Sequence, residues 1–489
     1  MVAATKKNDP ASKTEEEIAT LLRNDFKWCS VKLSDVITAG KRLEAAVFDI
    51  EGRQAREAIE NCKMEKVPLS KIFLKAYYPG RFKRIYSTSK SGIPFYLPSQ
   101  MTDVFPKPEK YISRLTKCDL DDLRLKANDL LLTRSGTVGK IALVSRTLEN
   151  SVFSDDIIRT TFPRNEVGYL YAYLSSSIGN TLLATNKYGS VINHIEPEHL
   201  DDIPVPNPPE EIKKHINDLI LRSFELRDKS NELIDNATKM LVSELKLPPI
   251  DEIKTKRFDG TCETNNFCVK LSQMNNRADA SYHVPIVASI VELLKKNAAE
   301  ITTVGDKRVS KKIILAGIFK RTYVEKGYGI PFLGGKEITQ LAPSVEKFLA
   351  ISRHKPRYEK ELKVQENMIL VTDRGSIGTV AIVPKHFNGY AVSQNVLKII
   401  PANDEIAGYL YIYLSSHWGN LIVKKETYGS VVDMIDNNSL CNVVIPLLKD
   451  KKIQTEINNL ALKANKLRYE AYLLEQQAIK SVEQDVVYA

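Results

Sequence analysis

Several things are scarce in this 489-residue chain, and each scarcity removes a class of protein. The six cysteines (Cys29, Cys62, Cys118, Cys262, Cys268, Cys441) are scattered, with no CxxC pair and no nearby histidine. That argues against a disulfide scaffold and a zinc site, and for reduced thiols. No apolar run approaches the roughly 20 residues that span a bilayer. The N-terminal stretch MVAATKKNDPASKTEEE is polar and lacks the apolar core of a signal peptide. A cytoplasmic protein without a membrane partner is expected. Glycine and proline, 22 of each, are not in excess, so the composition is that of an ordinary folded protein long enough for two or three domains. His194 and His199 have no metal-ligand companions in sequence, and no metal is expected.

What the chain does have is an uneven positive charge. The net value is +10. Residues 51–150 carry 19 Lys/Arg against 11 Asp/Glu, and residues 301–400 carry 17 against 8. These two zones hold +8 and +9, which leaves the remainder of the chain negative. Two basic zones about 250 residues apart fit an anionic partner touched twice, although a charge excess is also compatible with a solvated surface.

The zones are copies of each other. GRFKRIYSTSKSGIPF (80–95) returns as GIFKRTYVEKGYGIPF (317–332), and LLTRSGTVGKIALV (131–144) as LVTDRGSIGTVAIV (370–383). GYLYAYLSSSIGN (168–180) returns as GYLYIYLSSHWGN (408–420), YGSV (188–191) at 428–431, and VKLS (31–34) at 269–272. Five blocks in one order at an offset of 237 to 240 make the chain a tandem duplication. Residues 51–78 and 284–315 do not align. Val31–Ile37 reads as a strand, 53–78 as more helical, and Thr14–Leu22 as a short capped helix.

Each copy ends in a long heptad pattern. Apolar or small residues recur at Ile212, Ile216, Leu219, Ser223, Leu226, Ser230, Leu233, Ala237 and Met240, in alternating steps of four and three. Prolines 204, 206, 208 and 209 bar a helix before this run, and Pro248 and Pro249 close it. The same seam returns at Ile453, Ile457, Leu460, Ala464, Leu467, Ala471, Leu474 and Ala478. Small residues at every second position let two backbones approach closely. The spacing therefore predicts that the helices pair antiparallel, with one globular unit at each end of a rod. The alternative is two solvent-facing helices, each on its own domain. At about 1.5 Å per residue, some 34 residues make a rod of roughly 50 Å, or about 15 base pairs.

Within each copy, Arg134–Lys140 and Arg374–Thr379 join two strands through glycines that supply positive φ. Each is either a plain hairpin turn or a loop presenting amides, hydroxyls and Arg to phosphates. Phe82–Tyr86 and Phe319–Tyr323 set paired basic residues between aromatics, as a solvated strand face or as side chains for phosphates and base edges. Tyr169, Tyr171 and Tyr173, with Tyr409, Tyr411 and Tyr413, read as core-facing helix. The candidate DNA contacts are Lys83, Arg84, Tyr86, Lys90, Arg134, Ser135, Lys140 and Lys187 in the first copy. In the second they are Lys320, Arg321, Tyr323, Lys326, Arg374, Ser376, Lys424 and Lys425. Enzyme motifs appear only as near misses. Asn207-Pro208-Pro209-Glu210 lacks the final aromatic of an amino-methyltransferase loop. Gly329–Glu337 approaches Walker A spacing without its Lys-Ser/Thr. No catalytic residue and no cofactor are expected.

The order of these blocks resembles the specificity subunit of type I restriction–modification systems, over about residues 27–485. The resemblance implies an α+β fold with two repeated target-recognition domains joined by two long helices in an antiparallel coiled coil. It divides the chain into an N-terminal extension (1–26), a first recognition domain (27–206), a central spacer helix (207–247), a linker (248–266), a second recognition domain (267–446) and a C-terminal spacer helix (447–489). It further implies a non-catalytic subunit that reads a bipartite, asymmetric site in double-stranded DNA. Two DNA methyltransferase (modification) subunits would dock on it, and restriction (helicase-nuclease) subunits would join them. Other readings are a specificity subunit of a related methylation-based defence system, a stand-alone methyltransferase or nuclease with a degenerate site, and a coiled-coil hub that binds no DNA.

Overall fold

The computed structural model describes residues 30–38, 48–185, 194–253, 267–429 and 432–489. The expected Thr14–Leu22 helix, Lys187 and most of the linker lie outside them.

Both halves are built on the same sheets in the same order. In the first half one four-stranded sheet runs Lys75–Tyr77, Ile157–Thr161, Asp129–Thr133, Ile141–Leu143, with every neighbour antiparallel. In the second half the order is Ser310–Ile314, Val396–Pro401, Ile369–Thr372, Val380–Ile382. Leu130, Leu131 and Leu132 are all buried, as a continuous apolar run in a central strand requires. A smaller sheet runs Tyr86–Ser87, Lys110–Ser113, Gly92–Tyr96, Val152–Phe153, and its twin Tyr323–Val324, Phe348–Leu349, Ile330–Leu333, Ala391–Val392. The segments that lead into the long helices become strands: Pro204–Asn207 pairs with Glu65–Pro68, and Val444–Leu447 with Glu300–Thr303.

Two expectations are corrected. Val31–Ile37 is not a strand; Leu33–Thr38 is a helix. Leu33 and Ile37 are exposed there, and no strand among the described residues pairs with this segment. A helix satisfies its own backbone groups without a partner, and an unpaired strand does not. The repeated VKLS behaves alike, forming a single turn at Leu271–Gln273. The helical reading of 53–78 holds only to Asn61, where the helix Ile50–Asn61 ends and two strands follow. That helix has a structural twin, Pro285–Asn297, which also precedes a strand paired to the one leading into the long helix. The duplication thus extends into segments whose sequences no longer align.

The two seams form helices of 35 residues (Glu210–Glu244) and 31 residues (Lys451–Ser481). They lie against each other in antiparallel order. Ser223 donates to the carbonyl of Ala471 at 2.7 Å, while further along Arg468 donates to Ser230 at 3.3 Å. Ile216, Ser223, Ser230, Ala237, Ile457, Ala464, Ala471 and Ala478 are fully buried, Leu226 and Leu233 nearly so; Leu219, Leu460, Leu467 and Leu474 are half-buried. A hydroxyl reaching the opposite backbone shows how closely the small residues let the helices approach.

Each unit packs on both helices, at opposite ends of the pair. The first unit's core takes in Ile216, Ile220 and Phe224 of one helix and Ala478 of the other. The second unit's core takes in Leu233, Ala237 and Leu241 with Ile457, Ala461 and Ala464. Burying an aliphatic side chain of this size contributes about 1.5–3 kcal/mol, so the helices cannot part without opening both cores. Although packed at opposite ends of the helix pair, the units also touch each other directly, which the seam alone does not suggest. The Val104 amide donates to Thr339 at 3.0 Å, and the Thr339 hydroxyl to Asp103 at 2.5 Å.

Candidate nucleic-acid interface

The strand–loop–strand block folds as a braced turn in both units. Thr133 donates to the carbonyl of Thr137 (2.6 Å) and accepts from the Lys140 amide (3.1 Å). Thr372 does the same with Ser376 and Thr379. Gly136, Gly139, Gly375 and Gly378 all have positive φ, so the turn needs glycine there. Asn180 and Asn420, from the helices behind, donate to the carbonyls of Gly139 and Gly378. The exposed apex is Gly136–Thr137 in one unit and Gly375–Ser376 in the other.

The arginines of these blocks turn inward. Arg134 is buried, engages Glu196 at 2.5 Å and Asp156 at 3.4 Å, and lies 4.1 Å from the Tyr78 ring centroid. Ser135 donates to Asp156. Arg374 closes on the buried carboxylate of Asp373 with two bonds, 3.0 and 2.9 Å. Burial raises the Asp373 carboxyl above its ordinary range, and Arg374 partly offsets this. Arg134 aligns with Asp373, one place before Arg374, so each block keeps an arginine–carboxylate pair but with different partners.

The basic–aromatic segment is not the strand face expected, since it becomes strand only at Tyr86–Ser87 and Tyr323–Val324, and its side chains divide in the same way. Arg84 binds Asp155 at 2.6 Å and Ser154 at 3.1 Å, and Arg321 donates to Gln394 at 2.5 Å. Both stack near a sheet phenylalanine, Phe95 or Phe332, at 5.4 Å. Lys83 and Lys320, which precede these arginines, are exposed, as are Tyr86, Tyr323 and Lys326. Lys90 is exposed and donates to the Asp251 carbonyl at 3.0 Å. Lys140 is half-buried. Lys425 lies over the Tyr282 ring and 3.6 Å from Glu426.

Lys424 and Ser376 come together in a cleft of about 820 Å³ between the units. Its walls include Ser89, Lys107 and Tyr111 from the first unit and His417 from the second. Lys107 donates to the Ser415 carbonyl at 2.7 Å. Burial, with Lys107 and Lys424 alongside, pushes His417 below the ordinary histidine value. Sequence reasoning passed over Lys107 and His417 because neither repeats. His417 stands where the first copy has Ser177, and that departure inside a matched block was the available signal.

It also passed over a residue that does repeat. Asn217 accepts from the Gly168 amide and Asn458 from the Gly408 amide, each at 2.8 Å. A Cβ on Gly168 would lie 2.6 Å from the Asn217 carbonyl oxygen, and one on Gly408 2.3 Å from that of Asn458. The glycine that opens each GYLY block thus lets its helix dock on the long helix that follows it. The tyrosines of the block are buried, as expected. Tyr171 crosses to Glu475 on the C-terminal helix at 2.5 Å, and Glu475 also holds Arg227.

Two units of one architecture, each presenting an exposed basic–aromatic edge and docked at opposite ends of one helix pair, have a family counterpart. The profile described as Type I restriction modification DNA specificity domain matches twice, over residues 65–236 and 312–460. The chain belongs to that family. Among solved structures it is similar to the S subunit of a type I restriction-modification system from M. genitalium, with 12% identity, 87% of this chain and 92% of that one covered, and a TM-score of 0.28. It is also similar to the HsdS subunit from Thermoanaerobacter tengcongensis, with 16% identity, 85% and 95% covered, and a TM-score of 0.26. No curated protein matches. No helix among the described residues is long and apolar enough to cross a membrane.

Proposed function

We propose that this chain is the non-catalytic specificity subunit of a type I restriction–modification complex, and that its two units read the two halves of an asymmetric DNA site. The paired helices set the distance between the readers. Their outer faces receive two methyltransferase subunits, with restriction subunits joining the assembly. The observation that carries this reading is the twin exposed edge, Lys83 with Tyr86 and Lys320 with Tyr323, at equivalent places in both units. Exposed lysines suit phosphates, and their contribution does not depend on sequence. Arg84 and Arg321 are spent on bracing, so Lys83→Ala with Lys320→Ala is the cleaner test. Duplex binding should weaken for every sequence. The slope of log affinity against log salt should become shallower by about 0.9 per lost contact, or about 1.8 for the pair. Unchanged affinity and slope would remove these edges from the interface.

A further inference from the structure

The internal repeat offers two versions of one scaffold in a single molecule. A side chain that is exposed and identical in both units contributes equally to both half-sites. Only side chains that are exposed and different can make the halves read different bases. Along residues 81–91 and 318–328, a segment running into the edge strand and its tip, this sorting is sharp. Lys83/Lys320 and Tyr86/Tyr323 are exposed and shared, and Phe82/Phe319 and Arg84/Arg321 are shared but packed or braced. The differing exposed pairs are Arg81/Ile318, Ile85/Thr322 and the tips Thr88–Ser91 and Glu325–Tyr328, while Ser87/Val324 differs but is half-buried in both units.

The differing positions also hold apolar side chains left in water beside lysines. Ile318 is 84% exposed and Tyr328 79% exposed, with Lys320 and Lys326 exposed in the same segment. In the first unit Ile85 is 43% exposed, and Leu115, outside the aligned segment, is 80% exposed. These two are neighbours, since the amide of Ser113 and the hydroxyl of Thr116 both donate to the Ile85 carbonyl. The scaffold beneath is common: Tyr86 pairs with Ile112 where Tyr323 pairs with Leu349. Both tips return through a glycine whose absent Cβ would otherwise meet the neighbouring strand, Gly92 at Tyr111 and Gly329 at Leu349.

We infer that these two strand-and-tip segments, 81–91 and 318–328, carry the discrimination between the half-sites, which deepens the DNA-reading proposal and rests on it. Lys83, Lys320 and the two tyrosines hold the duplex alike in both units. Ile85 in the first unit, and Ile318, Glu325 and Tyr328 in the second, select bases. The chemistry differs by side. Aliphatic carbons match the thymine methyl, and the Glu325 carboxylate can accept from the cytosine amino group in the major groove. The tips diverge in backbone as well, since Gly327 has positive φ while Lys90 does not.

The test is a graft of equal length, replacing residues 85–91 (IYSTSKS) by the sequence of 322–328 (TYVEKGY), together with Tyr328→Ala and Ile318→Ala as separate point variants. Each chain is assembled with its methyltransferase subunits, and the preferred site is read by selection from a random duplex library. The graft should shift the first half-site toward the second one and leave the second untouched. Each point variant should relax preference at one or two positions of the second half-site, by tenfold or more, while affinity for random duplex stays within about twofold. A graft that melts like the wild type yet selects the original site would overturn the proposal. If the graft does not fold, the point variants decide, because both side chains are exposed; an unchanged motif in both overturns it equally. A wild-type complex that selects no motif would instead sink the DNA-reading proposal itself.

Discussion

Arg159 and Lys398 occupy twin positions, each a cation wholly buried in the central sheet of its unit. Arg159 donates to the carbonyls of Ile157, Leu123, Phe153 and Ser154 at 2.9–3.3 Å. Lys398 donates to the Val396 carbonyl at 3.3 Å, and burial lowers its pKa to about 8. Below pH 8 the ammonium is charged both folded and unfolded, and the cost of burying it is fully present. Between pH 8 and the unfolded value near 10.5 the unfolded chain holds the extra proton, so stability from this residue rises with pH. Lys398→Met should therefore stabilise the protein by about 1–3 kcal/mol at pH 7, with the advantage shrinking by pH 10. Denaturant melts of both proteins at the two pH values check this; a variant less stable at pH 7 would contradict it. Residue-scale pairing was the least legible part of the sequence. Arg84, Arg134 and Arg374 looked like phosphate contacts in basic strands and loops, but Asp155 and Glu196 lie 71 and 62 positions away from the first two. Spacing cannot reveal such a partner; only the folded sheet brings it close.

At the scale of elements the heptads were fully legible, because a seven-residue pattern over 30 residues has few other solutions. The helix-to-domain joints were not, although Asn217 and Asn458 repeat, because a polar residue beside a seam carries no periodic signal. The seam itself is tested by Ala471→Leu. Ala471 is fully buried and its carbonyl receives the Ser223 hydroxyl at 2.7 Å, so a larger side chain has no room. Overpacking of this kind costs about 1–3 kcal/mol, and calorimetry should show a lower Tm. An unchanged Tm would mean that the helices are not paired at this point. A second joint is acid-sensitive. His386 stacks on Tyr472 of the C-terminal helix at 3.9 Å, and its ring nitrogen meets the Leu341 carbonyl at 2.7 Å. Burial pushes its pKa down to about 4 from an ordinary 6.5. Between those values the unfolded chain binds the proton and the folded one does not, so stability falls as pH drops through that window. His386→Phe keeps the stack and should flatten the decline between pH 6.5 and 4 in thermal melts. A decline as steep as that of the wild type would contradict this assignment.

The molecule as a whole is one scaffold used twice, turned end for end by its helices and closed by a direct contact through Asp103 and Thr339. The duplication, the two basic zones and the rod were readable from the chain. The contact between units was not, since it joins segments with no shared pattern, and neither was the cleft that Lys107 and His417 line. In the proposed function this scaffold is a ruler between two DNA readers. The most direct measurement is selection from a random duplex library by the chain assembled with its methyltransferase subunits. Two unlike half-sites separated by one fixed number of unread base pairs are expected; a single continuous motif, or half-sites recovered at variable spacing, would contradict the ruler.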